Sequence, residues 1–142
     1  MELVWTEDLS VGNASIDADH KVLLGLANGV VHAIITSDCS ILTESFCLLD
    51  NKLRMHFTNK ESIARKVGIP FLMHKQAQKY LLEELDFLKE ELLARGGSLS
   101  RESSSHYSGT LKELILSHIV KHDMQMKRVL QGYPYDFSPG RG

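Results

Sequence analysis

Only two cysteines occur in the 142 residues, Cys39 and Cys47, and both fall on one predicted helix, so no disulfide framework is expected. Clustered basic residues are also missing, and the net charge is −2, which removes the electrostatic footprint that nucleic-acid binding requires. No apolar run approaches the roughly 18–20 residues of a membrane span. The first twenty residues, MELVWTEDLSVGNASIDADH, carry acids where a signal peptide has a basic and then an apolar stretch. The expectation is therefore a cytoplasmic protein with neither nucleic acid nor membrane as partner. The one low-complexity piece, Gly96 to His106, is too short to divide the chain, so a single domain over 1–142 is predicted.

What is present is helical periodicity. Residues 1–14 read as an irregular arm anchored by Trp5, Leu9 and Val11. A first helix is predicted from about Ser15–Asp17 to Thr36, with Ser15 or Asp17 as N-cap and an apolar stripe through Ile16, Leu23, Leu24, Ala27, Val31 and Ile34. A second runs from about Ile41 to Val67 with Phe46, Leu49, Leu53, His56, Lys60, Ile63 and Val67 inward, and stops at Gly68 before Pro70. The third spans about Pro70–Phe71 to Arg95, its inward row being Phe71, His74, Gln78, Leu81, Leu85, Leu88 and Leu92. Gly96-Gly97 ends it, and Gly96–His106 is predicted to be a loop. The fourth runs from about Ser105–Tyr107 to Gln131, with Leu111, Leu114, Ile115, His118, His122, Met126 and Val129 inward. Gly132-Tyr133-Pro134 ends it, and in the tail over 132–142 the stretch Asp136–Gly142 is predicted to be loose. The fold class that follows is all-α, an antiparallel up-down four-helix bundle with an irregular N-terminal arm and a core over about 15–131.

Seven histidines are present, and four of them, His20, His56, His74 and His118, take inward positions on four different helices. A single inward histidine is more often a hydrogen-bonded core residue than a ligand. Four at one depth would be costly to bury without partners. A metal ion removes that cost, because neutral imidazole is among the commonest ligands of iron, zinc and copper. Asp123 adds a carboxylate.

These residues resemble the hemerythrin family, in its single-domain bacterial form. The resemblance runs from residue 5 to about 130. It is carried by Trp5, Val11-Gly12, Ile16-Asp17, His20, Leu24 and Asn28, then by His56-Phe57 and Pro70, and finally by His118-Ile119 and Asp123. It implies an oxygen-bridged di-iron centre that binds dioxygen or a related small ligand, and a role in oxygen storage, delivery or sensing rather than catalysis. By the same resemblance His20 and His56 serve one iron, His74 and His118 the other, and Asp123 bridges them.

The chain departs from the family at two ligand positions. Lys60, in HFTNKE, stands where the family's HFxxEE has its bridging glutamate, and Gln78, in HKQAQ, stands where HxxxH has its second histidine. The segment from Pro70 to His74 is one residue short, and Leu114 replaces a tryptophan. Glu61 reaches the site only through a π-bulge in the second helix. Gln78 offers a carbonyl oxygen, and His122, one turn after His118, is a candidate substitute imidazole. An ammonium group a few ångströms from two iron ions is repelled by about several kcal/mol even at an effective dielectric near 20. Lys60 is then neutral, swung outward, or itself in place of the ion and paired with Asp123.

Three readings follow. One is a non-catalytic oxygen-binding iron protein. Another is a mononuclear iron redox protein or enzyme, held for example by His74, His118 and Asp123. The last is a metal-free bundle kept for protein contacts. The sequence leaves metal count and oligomeric state open.

Overall fold

The computed structural model describes residues 2–96 and 99–139. Among them the secondary structure is wholly helical: α1 (Ala14–Thr36), α2 (Cys39–Val67), α3 (Leu72–Ala94), α4 (Arg101–Lys121) and a short α5 (Lys127–Leu130), with 3-10 turns at Glu7–Leu9 and Asp123–Met126. The four long helices pack together, α1 against α2 and α4, and α3 against the same two. No helix among the described residues is long and apolar enough to cross a membrane.

Local chemistry sets the boundaries. α1 is capped by Asn13, whose side-chain oxygen accepts from the Ile16 backbone N–H at 3.1 Å. The expected caps, Ser15 and Asp17, lie inside the first turn instead. α2 starts two residues earlier than predicted because Asp38 accepts from the N–H groups of Ser40 and Ile41, both at 3.0 Å. It ends at Gly68, whose φ of 81° lies in the left-handed region that glycine adopts without strain. The inward rows of α2 and α3 are buried as read from their periodicity, Lys60 and Gln78 among them, except that Val67 and Phe71, at the junction of the two helices, are only half-buried.

Two expectations need correction in the fourth helical segment. Residues from Arg101 onward are helix rather than loop, because the Ser100 hydroxyl accepts from Ser103 N–H at 3.1 Å and so starts α4 several residues early. The helix also does not run unbroken to Gln131. It ends at Lys121 and tightens into the 3-10 turn that holds Asp123. In a regular α-helix, residues five apart lie about 140° apart around the axis, so His118 and Asp123 would face different ways. The different pitch of the 3-10 turn accompanies their convergence.

The arm and the tail are clasped to the start of α1. Asp17, fully buried, accepts from Val11 N–H at 2.9 Å, from the Ser10 hydroxyl at 2.5 Å and from the Tyr135 hydroxyl at 2.9 Å. Ala14 N–H donates to the Tyr135 carbonyl at 2.7 Å, and the Asn13 amide donates to the Phe137 carbonyl at 3.1 Å. The tail expected to be loose is therefore anchored as far as Phe137; residues 140–142 lie outside the described residues. Asn28 holds the other end of the arm, bonding both the N–H and the carbonyl of Leu3 at 2.8 Å.

The apolar interior divides in two. The larger cluster includes Leu23, Leu53, Phe57 and Ile119; the smaller joins Val11, Ile16, Ile63, Ala64, Met126 and Leu130. On α1, on α2 and on the segment after α4, a polar residue falls between a member of one cluster and a member of the other: His20, Lys60 and Asp123.

Candidate metal centre

Asp123 is the hub of that polar layer. Its Oδ2 lies 2.7 Å from His20 Nε2 and 3.0 Å from His56 Nε2. Its Oδ1 pairs with the Lys60 ammonium and lies 3.4 Å from His118 Nε2. Lys60 Nζ is also 3.3 Å from His118 Nε2. Three imidazoles from three helices thus present the same ring nitrogen to one buried carboxylate.

Asp19 supports the cluster from behind. Its Oδ2 is 2.9 Å from His56 Nδ1, and it is further bonded by Lys52 at 2.9 Å and Asn59 at 3.1 Å. Burial opposes its charge, but the hydrogen bonds from His56, Lys52 and Asn59 bring its pKa down to about 2. His56 is flanked by two carboxylates. Burial disfavours its charged form more than any other single influence, yet the bonds to Asp123 and Asp19 together raise its pKa above the ordinary value. Burial lowers the His118 pKa, and the hydrogen bond to Asp123 does not offset it. Burial would raise the Asp123 pKa; Lys60 and the three histidines hold it well below the ordinary carboxylate range.

Lys52 and Lys60 already balance Asp19 and Asp123, so a proton on His56 leaves the cluster one positive charge in excess. A carboxylate behind the imidazole is also the usual support of a metal-ligating histidine, where it fixes ring orientation and raises basicity. Sequence reading passed over Asp19, because its partner on α2 is visible only in the tertiary structure.

Other sequence candidates fall elsewhere. Among the described residues, the group of donors close enough to share one ion is His20, His56 and Asp123, not the His74–His118–Asp123 set offered as an example of a mononuclear site. His74 is buried against the Phe71 ring, with centroids 5.2 Å apart and planes nearly parallel, and its Nδ1 has no hydrogen-bond partner. Gln78 is buried with its amide nitrogen unpartnered. Glu61 is turned out of the site and paired with Lys75 at 2.9 Å, because α2 is regular through this stretch and puts it about 100° from Lys60. His122 caps α4 beside His118, ring centroids 5.4 Å apart, outside the donor group. A cleft of about 360 Å³ between α3 and α4, lined by Tyr80, Leu81, Leu114, Lys121 and His122, reaches His118.

The donor set fits one ion better than two. Two imidazole nitrogens and a carboxylate lie close enough to hold one metal ion, with Asp19 behind His56. The second half of a di-iron centre is not matched: Lys60 places a cation at the carboxylate oxygen such a centre would share, and His74 and Gln78 are not gathered with it. Comparison with protein-family models finds no match, and a search of curated proteins finds none.

Proposed function

We propose that this chain is a hemerythrin-like antiparallel up-down bundle of the cytoplasm that holds a single iron ion through His20, His56 and Asp123. It takes up dioxygen or a related small ligand there, for storage, delivery or sensing rather than for catalysis. The observation that carries the reading is the meeting of His20 Nε2 and His56 Nε2 on one oxygen of Asp123 in a buried layer. Three protein donors leave the ion's remaining positions to water or a small ligand, which is the chemistry iron supplies in such sites. The cleft between α3 and α4 comes as far as His118, the neighbour of Asp123. With iron bound, His20, His56 and Asp123 would be its ligands, His56 would be neutral, and Lys60 would be turned away from Asp123.

The Lys60–Asp123 pair favours a second reading, a metal-free bundle serving protein contacts. One measurement separates them: purify with ferrous iron, count metal per chain, and record the visible spectrum before and after air. About one iron per chain, lost in His20→Ala, supports the mononuclear reading. Two irons with oxo-bridge and peroxide bands would restore the full di-iron expectation. No bound metal under any loading supports the metal-free bundle.

A further inference from the structure

We propose that the groove between α1 and α4, at the other end of α1 from His20, binds a small amphipathic anion: a carboxylate carrying a short aliphatic chain. The groove holds about 730 Å³ and is lined by Val31, His32 and Ile35 of α1, by Leu99, and by Arg101, Ser104, Ser105, Ser108, Gly109 and Lys112 of α4. Ligand sites of small molecules fall in this size range and combine apolar walls with a few polar groups.

The groove exists because α4 presents small residues where α1 presents larger ones. A Cβ built on Gly109 would meet nothing within 4 Å, so the space beside it is open. Ser108 is 6% exposed, and its hydroxyl is buried without a hydrogen-bond partner. Buried polar atoms are rarely left unsatisfied, so this hydroxyl beneath the groove wall is an unexplained polar group there.

Charge and polarity divide the lining. Arg101 and Lys112 bring two cations, and no ion pair among the described residues engages either. Glu2 brings one anion, on the arm that Asn28 fastens at Leu3. The balance favours a single negative head group over a polyanion. Val31, Leu99 and the largely exposed Ile35 offer the aliphatic surface a short chain would cover.

The test uses octanoate as probe on the full chain, followed by calorimetry and backbone amide shifts. Inorganic phosphate and 1-octanol are the comparisons. The expected result is saturable octanoate binding, with shifts at residues 28–35 and 101–112, and at least tenfold weaker binding of either comparison. Gly109→Leu fills the groove and is expected to weaken octanoate at least tenfold. The double change Arg101→Gln with Lys112→Gln is expected to do the same while leaving 1-octanol unchanged. Because the charge variant alters only surface side chains, it keeps the question answerable if Gly109→Leu fails to fold. The proposal is overturned by the absence of octanoate binding, by shifts confined to other residues, by equal binding of 1-octanol or phosphate, or by insensitivity to the charge variant.

Discussion

Lys60 and Asp123 form an ion pair in which both side chains are wholly buried, one from the C-terminal part of α2 and the other from the 3-10 turn that follows α4. Breaking such a pair from one side strands the other charge. Asp123→Ala is expected to cost about 3–5 kcal/mol of folding free energy. Lys60→Met is expected to cost less, because Asp123 keeps its bonds to His20 and His56. Urea denaturation of the two metal-free variants measures the difference, and equal losses would show that the histidines do not support the carboxylate.

If the proposed hemerythrin-like reading holds, giving Lys60 and Gln78 the ligand types of that family is expected to add a second ion. Lys60→Glu with Gln78→His should raise iron from about one per chain toward two, read by metal analysis on protein loaded under identical conditions. Unchanged stoichiometry would mean that these two positions do not correspond to the ligands they were matched with.

In the metal-free protein Asp19 and His56 are expected to contribute an acid and an alkaline limb to the pH dependence of stability, while the lowered pKa of His118 removes stability as pH falls below the ordinary imidazole value. The pKa of Asp19 is about 2 against an ordinary 3.8, so its contribution is complete above the ordinary value and disappears as pH falls from about 4 toward 2. His56 shifts the other way. Its contribution is complete below the ordinary imidazole value of 6.5 and is lost as pH rises through its elevated folded value. Asp19→Asn removes a carboxylate from both effects, so it should flatten the acid limb and weaken the alkaline one. Urea midpoints from pH 3 to pH 9 would reveal either outcome.

The clasp at Asp17 makes a separate forecast. Tyr135→Phe deletes one charge-assisted hydrogen bond and should cost about 1–2 kcal/mol. Asp17→Ala should cost more, because the buried Val11 N–H also loses its acceptor. Hydrogen exchange at residues 133–137 should accelerate in both variants, and unchanged exchange there would separate the tail from the clasp.

Much of this arrangement could be read from spacing alone. Helix periodicity put His20, His56 and Lys60 inward, and the glycine at 68 marked the end of α2. Pairing of Lys60 with Asp123 stood among the options that a misplaced cation leaves. Three features were not legible. Asp19 reads as an ordinary surface acid until α2 lies beside α1. The break after Lys121 has no glycine or proline to announce it, since the bonds made by Asp123 compete with the local preference for continued helix. The tail's attachment depends on Asp17, 118 residues from Tyr135 in the chain, and no local pattern encodes a contact of that range.

The polar layer between the two apolar clusters also fixes how the rods are aligned along their length. Oil-like surfaces tolerate sliding by a turn, because one leucine substitutes tolerably for another. A buried ammonium does not, since it has one oxygen to meet and solvent is out of reach. Were α2 to slip by a single turn, Lys60 would face the greasy neighbours of Ile63 and Asp123 would face Phe57 or Ile63. The misfit makes the native alignment unique, so the layer acts as a dowel through the assembly whether or not an ion ever visits it.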